Sequence, residues 1–465
     1  MITGLLFFLI VPFCLLVFGY CLYQLLVKAE LVYYLVFLIL YTPFYITNIS
    51  LVYEVTGLQI AVQFFQYTKE IIMLAALVVL FFYHPKVLQK QFRLIAIDYV
   101  FLTFLGLCTL FLVLPIGDSS FVQRLLYYKG ILLFSVAYLV GRNLQLKPDE
   151  IKQLLHLILW VGVATLAFNL LEVFVLDAHL QQFTGYAKWN SDINEIDPTG
   201  NYGLTWTFES SSGKRRFASF FANPLELAAS SLLTFSTALI LFLKSPYRTN
   251  RAIYAAMILV AVLTLYFSFS RAAFGALFLL IAFTAVVFRL YKLIGLGILT
   301  FLGLVIYIFF FAPDDLRYLV IDTLTFSEPS SLGHAIEWFQ AINQMVINPE
   351  GIGLAMSGNA GAVDDELKVG GENQFLIYGV QIGVLGLLLY LILTYLSIKV
   401  PLKVYRTYPD VMYRLIPFIV CTVKVGLLLP LFTSNLDIFI HISLLTWCLL
   451  GYSVSFYGKE SYEKA

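Results

Sequence analysis

Charge is what this 465-residue chain has least of: Asp, Glu, Lys and Arg make up 12% of it, against a hydrophobic share of 60%. A soluble globule carries about 25% charged residues, so the composition excludes one. The 29 basic and 28 acidic side chains nearly cancel to a net charge of +1, and without a basic excess a nucleic-acid partner is excluded too. Cysteine is scarce. Cys14, Cys21, Cys108, Cys421 and Cys448 all fall in apolar runs, which leaves no disulfide framework and no zinc-ligand spacing. The first apolar stretch lacks a basic lead-in and a small-residue cleavage site, so it reads as a retained span and not a signal peptide.

What the chain does have is long apolar runs, at 4–27, 31–49, 60–83, 94–116, 122–141, 151–176, 224–243, 252–269, 272–289, 293–312, 374–398, 411–431 and 434–457. Each is long enough to cross the hydrocarbon as a helix. The runs are continuously apolar, where barrel strands would alternate over about ten residues. The pattern therefore predicts an all-α polytopic integral membrane protein with about 12–13 transmembrane helices. Lysine and arginine gather in one set of alternate connections: Lys28; Lys86, Lys90 and Arg93; Arg142, Lys147 and Lys152; Lys244, Arg248 and Arg251; Arg289 and Lys292; Lys399, Lys403, Arg406 and Arg414; Lys459 and Lys464. Those connections are expected in the cytoplasm.

The opposite, extracytoplasmic face then receives two long loops, near 177–223 and 313–373. The expected organisation is an N-terminal bundle of about six helices over 1–176, the first loop over 177–223, and a second membrane region over 224–465 that contains the loop 313–373. Loops of this length in a compact protein are functional or disordered. The first mixes Tyr186, Trp189, Tyr202, Trp206 and Phe208 with amides and carboxylates, which suits sugar faces and hydroxyls or else an interfacial aromatic belt. The second is expected to hold a short amphipathic helix near Ala335–Val346, stopped by Asn348-Pro349-Glu350-Gly351.

Two arginines stand at the mouths of spans on that face: Arg216, seven residues before Asn223-Pro224, and Arg271 after Ser270 in a sharp turn. Neither has an acidic neighbour in sequence. A charge within a span costs roughly 2.5–3.5 kcal/mol, so the pair points to an anionic ligand, with a diphosphate the first candidate. A third element, Gly370-Gly371-Glu372-Asn373, leads into a helix rich in glycine at Gly379, Gly383 and Gly386. The acidic Asp364-Asp365-Glu366 reads as a solvated loop tip, and no cage spacing for a metal is visible. Asp437 and His441 fall at i and i+4, the spacing of an intrahelical pair. Lys69, Glu70, Arg124 and Lys129 lie inside spans as further charges.

In their order and spacing, Arg216 with Asn223-Pro224, Ser270-Arg271, Gly351-Ile352-Gly353 and Glu372-Asn373 resemble the O-antigen ligase/polymerase superfamily, over residue 200 to the C-terminus. The chain departs from that pattern at Ser219, where a glycine is usual, at Leu225, at His334, where relatives carry arginine, and at Glu372, where ligases keep histidine. The resemblance implies a GT-C-like architecture in a bacterial inner membrane and a metal-independent glycosyl transfer without cofactor. It implies a polyprenyl-diphosphate-linked glycan donor and a glycan or lipid A core acceptor, with membrane lipids, a chain-length regulator and a flippase as partners. On it, Arg216 and Arg271 hold and neutralise the diphosphate, since the guanidinium fork binds phosphate bidentately at any relevant pH. Arg215 helps, Glu372 is the base, Asn373 orients it or contacts sugar, and Asn223 and His334 bind substrate. The expected reaction is repeat-unit polymerisation. Ligation, or transfer to protein hydroxyls, follows from the same chemistry with another acceptor, and a lipid-glycan flippase is the alternative of another class.

Overall fold

The computed structural model describes residues 2–83, 93–210, 213–313, 317, 320, 321, 325, 329–364 and 366–457. Lys86, Lys90, Asp365, Lys459 and Lys464 lie outside the described residues. Among those described, the chain is all-α, and its one β contact is an isolated bridge between Glu209 and Arg215. Nine helices are long and apolar enough to cross a membrane, and a tenth follows if Gln59–Gln66 and Thr68–Tyr83, bent by 41°, form one span. This is a multi-span membrane protein. The remaining three of the expected windows fall on shorter apolar helices, Arg271–Val287, Ile294–Phe310 and Ile440–Val454.

In chain order the helices are α1 (Ile2–Lys28), α2 (Val32–Leu40), α3 (Tyr45–Thr56), α4 (Gln59–Gln66), α5 (Thr68–Tyr83), α6 (Ala96–Val113), α7 (Phe121–Asn143), α8 (Pro148–Leu171), α9 (Tyr186–Asn194), α10 (Pro224–Lys244), α11 (Arg248–Ser268), α12 (Arg271–Val287), α13 (Tyr291–Phe310), α14 (Pro329–Ile347), α15 (Gln374–Thr407), α16 (Val411–Gly426), α17 (Leu428–Thr433) and α18 (Ile440–Val454). Their starts are written in polar side chains. Asn223 Oδ1 accepts from the backbone N–H of Leu225 and Glu226 at 3.0 and 2.9 Å and Pro224 fills the first turn of α10. Ser120 and Gln123 form a capping box on α7, and Asp410 caps α16.

The centre of the bundle is α18, buried at every position from His441 to Val454. It lies against α7 closely enough that a Cβ on Gly141 would sit 1.9 Å from the Cys448 carbonyl oxygen, and one on Gly451 would sit 2.1 Å from that of Tyr138. Small residues permit such contact where lipid supplies no hydrophobic drive between helices. Packing thus crosses from the first 176 residues into the last helix. Interior charges are matched: Arg142 meets Asp98 at 2.7 Å with the Tyr138 hydroxyl donating to the same carboxylate at 2.6 Å, and Glu70 takes Lys69 and Lys129 at 3.3 and 3.1 Å. Arg124 instead donates to the carbonyls of Leu112 and Leu114 at the end of α6.

α15 is interrupted. Ile382 and Gly383 leave helical geometry, Gly383 at φ +76°. The freed backbone is paired by the loop that follows α14: Ile352 N–H donates to Val380 O at 2.9 Å, Gly353 N–H to Gln381 O at 3.0 Å, and Val384 N–H to Pro349 O at 2.8 Å. A helix break at membrane depth survives only where such partners exist. The Gly-x-Gly element and the glycine-rich helix, distant in sequence, are two sides of one joint. Gly351 and Gly353 both have positive φ, +97° and +109°. A Cβ on Gly383 would lie 2.5 Å from the carbonyl oxygens of Glu350 and Pro349.

Gly383→Ala therefore combines a clash with a strained φ, and we expect it to destabilise the protein by about 2–4 kcal/mol. Thermal unfolding in detergent measures this, with Gly295→Ala, on open space in α13, as the control that should change little.

Candidate functional site

One end of the bundle gathers the segments that connect its helices. Thr47 Oγ1 donates to Phe220 O at 2.8 Å, Ser119 Oγ to Leu354 O at 2.7 Å, and Tyr53 OH to Asp192 Oδ2 at 2.6 Å. The segment 177–223 is folded on itself around Tyr186, Leu204, Phe208 and Ala218, all buried. Of the aromatics singled out in sequence, Tyr186 and Phe208 pack in the loop's own core with Leu204 and Ala218, and Trp189 is buried against the main bundle. Trp206 remains exposed at 59%.

Arg216 is fixed by its backbone and its side chain. Its N–H donates to Phe208 O at 2.9 Å, the next residue's N–H donates to Phe267 O at 3.0 Å, and its Nε donates to Ser268 O at 3.1 Å. These bonds bring the guanidinium to the end of α11, where Phe269 at φ +48° turns the chain and the buried Ser270 starts α12. Arg271 follows at once. Burial, and after it the Arg271 guanidinium, pull Arg216 down to about 10, so it stays charged at neutral pH. Arg271 is thus near enough for its charge to act on Arg216.

Ser219 also has a physical reading. It adopts φ +52°, in the left-handed region that glycine favours. Its N–H donates to Glu172 Oε2 at 3.0 Å. Glu172 was missed by sequence reasoning. It is fully buried at the end of α8, and its carboxylate also accepts from Asn169 Nδ2 at 2.9 Å and Leu180 N–H at 2.8 Å. Its signal was an acid inside the 151–176 apolar run. Glu226, a turn inside α10, accepts the His441 N–H at 3.1 Å in the same manner.

The second group centres on Glu372. Its Oε2 meets His334 Nδ1 across from α14, and Glu337 stands one turn along that helix, near enough for the two carboxylates to act on one another. Burial, then the charge of Glu372, raise Glu337 above the usual carboxylate range. Gly370 lets the segment lie this close to α14, since a Cβ there would sit 3.1 Å from Ala341 Cβ and 3.2 Å from Glu337 O. Two residues singled out separately, Glu372 and His334, therefore form one carboxylate–imidazole contact. Glu337, which completes it, was not anticipated, although His334 and Glu337 at i and i+3 share a helix face.

The other expected residues are engaged elsewhere. Arg215 turns to Asp177, meeting Oδ1 at 2.5 Å, and stacks over the Tyr202 ring at 5.1 Å. Asn373 Oδ1 caps α15 through the N–H groups of Phe375 and Leu376 at 3.0 and 3.2 Å, as Asn223 caps α10. Capping at this helix falls to Asn373, which leaves the Glu372 carboxylate to His334. Asp437 and His441 do not form the expected intrahelical pair, because the helix starts only at Ile440: His441 Nδ1 sits 2.9 Å from Thr42 Oγ1, and Asp437 accepts from Tyr378 and Tyr390. Among the described residues no group of three or more His, Cys, Asp or Glu is placed to hold a metal ion. The chain matches no model of a known protein family and no curated protein.

His179 gives the first loop a pH limit. It is fully buried among the rings of Tyr202, Phe208 and Phe217. Burial, and secondarily the charge of Arg215, lower it to about 4. An unfolded histidine takes its proton near pH 6.5, so between these values the unfolded loop binds more protons and the folded loop loses stability as pH falls. Limited proteolysis should therefore cut 177–223 faster at about pH 5 than at about pH 7.5. His179→Phe should flatten the difference.

Proposed function

We propose that this protein is a glycosyltransferase of a bacterial cytoplasmic membrane that uses a polyprenyl-diphosphate-linked oligosaccharide as donor. Polymerisation of O-antigen, capsule or exopolysaccharide repeat units is the first reading, and ligation to lipid A core or transfer to protein hydroxyls the second. The observation that carries it is Arg216 held beside Arg271. Two guanidinium groups whose charges act on one another suit an anion of charge two or more, whose oxygens each fork can bind bidentately. The motif resemblance and a GT-C-like arrangement, with both groups on the outer face, fit the same reading.

In the reaction an acceptor hydroxyl oxygen bonds to the anomeric carbon while the bond from that carbon to the diphosphate oxygen breaks. The electron pair leaves with the diphosphate, whose charge the two arginines stabilise, the term usually largest in such catalysis. The hydroxyl proton goes to Glu372, which His334 orients. A growing glycan, a chain-length regulator and a flippase are the partners such a polymerase works with. Transport is a second reading from another class, favoured by the break in α15, because interrupted helices mark substrate sites in transporters.

The test is incubation of the purified protein in lipid with a polyprenyl-diphosphate-linked repeat unit, followed by electrophoresis of the glycan. A ladder from donor alone is expected. Product only when lipid A core or a protein acceptor is added makes it a ligase, and translocation of unreacted donor across the bilayer makes it a transporter. Arg216→Lys and Arg271→Lys should each lower turnover by about 10²–10³-fold, since a point charge does not replace the fork. Glu372→Gln should cost about 10²–10⁴-fold with donor binding retained. Full activity in either lysine variant would remove the diphosphate role.

A further inference from the structure

A second polar site lies inside the bundle, away from both groups above. A small pocket of about 20 Å³, room for about one water, opens between α15, α16, α17 and α18, and Tyr390, Thr394, Lys424, Asp437, Ser443 and Trp447 line it. Lys424 is well within the Val411–Thr433 span, with its ammonium 4.4 Å over the Trp447 ring. Among the described residues no acceptor reaches its three donors. Ser443, 5% exposed, turns an unpartnered Oγ to the same space. Asp437 faces them from the 3-10 turn Leu436–Ile438 before α18, and its backbone N–H donates to Gln374 Oε1 at 3.1 Å, directly after the Glu372-Asn373 cap.

An ammonium and a hydroxyl without protein acceptors inside a membrane bundle need water between them and the carboxylate. Most of the lining is apolar, but Lys424, Ser443 and Asp437 all border the pocket and supply the two to four partners a buried water requires. Intramembrane ionisable residues arranged in this way mark proton sites. The carboxylate also spans a joint: Tyr378, before the break in α15, donates to Asp437 Oδ2 at 2.7 Å, and Tyr390, after it, donates to the same oxygen at 3.2 Å. Both bonds are stronger to the anion than to the neutral acid. The groups facing Asp437 are these two tyrosines from α15, Lys424 from α16 and Tyr127 from α7.

We propose that Asp437, Lys424 and Ser443 form a water-mediated proton-binding site, and that proton uptake by Asp437 releases the clamp across the two halves of α15. The site does not depend on the glycosyl-transfer reading, because that reaction delivers its proton to Glu372.

Infrared difference spectroscopy of the protein in lipid, stepped from neutral to acid pH, tests it. The expected result is a carboxylic-acid C=O band that shifts in D2O, disappears in Asp437→Asn and survives in Glu372→Gln, accompanied by a water O–H band that moves with oxygen-18 water. Lys424→Met should raise the midpoint of the carboxyl band by about one pH unit, a tenfold gain in proton affinity, since a neighbouring cation favours the anion. Tyr390→Phe should raise it too, so the proposal is decided even if Asp437→Asn fails to fold. A band that persists in Asp437→Asn, a midpoint unmoved in both Lys424→Met and Tyr390→Phe, or the absence of an accompanying water band would overturn it.

Discussion

The pairing of backbone groups at the break in α15 is the constraint on which the rest of the structure hangs. In lipid an unpaired peptide N–H or C=O costs several kcal/mol, so a helix that opens at Ile382–Gly383 must bring its own partners, and residues 349–353 are those partners. Gln381 adds its side chain, which accepts the Ala355 N–H and donates to Ser357 O and the Tyr127 hydroxyl. Once the loop is fixed at that point, α14 is fixed too, and a Cβ on Gly379 would sit 2.2 Å from Met345 Sδ of that helix. The position of α14 sets His334 and Glu337 against Glu372. The same break turns Tyr378 and Tyr390 toward one carboxylate, that of Asp437.

Ionisable groups in the bundle show how uneven their treatment is. Asp98 with Arg142, and Glu70 with two lysines, are paired by opposite charge. Glu172 and Glu226 take backbone N–H groups in place of a cation, closing loop and helix ends that would otherwise be unpaired. Arg216 is treated differently again: it is buried, its Nε donates to the Ser268 carbonyl, and the charge of Arg271 acts on it.

Much of this was legible in sequence, and the reasons are local. Apolar length identifies spans without reference to their neighbours, and each expected window falls on a helix, although three of those helices are short. Proline and asparagine before α10 and asparagine before α15 announce their own caps. Arg216 and Arg271 were recognisable because both stand at span ends in one topological layer. What sequence hid is what depends on tertiary pairing. The interruption of α15 is invisible as periodicity, because Gly383 is one glycine among several in an apolar run. Glu337 gains meaning only when Gly370-Gly371 folds across α14. Asp437 and His441 have helical spacing, but the helix begins too late to join them.

The two arms of the proposed site rest on separate foundations. Arg216 is placed by the first loop, through Phe208 O, Phe267 O and Ser268 O, and that loop is tethered to α8 by Glu172. Glu372 is placed by the second loop, through α14 and the joint in α15. Neither foundation borrows a backbone hydrogen bond from the other in the contacts that fix these residues. A substitution at Glu172 thus displaces the cationic arm first, and one at Gly383 displaces the carboxylate arm first. Transfer between a leaving diphosphate and an incoming hydroxyl needs both arms held within a fraction of an ångström. Both loops are built into the bundle by main-chain bonds as well as by side chains, which is the kind of support that demand calls for.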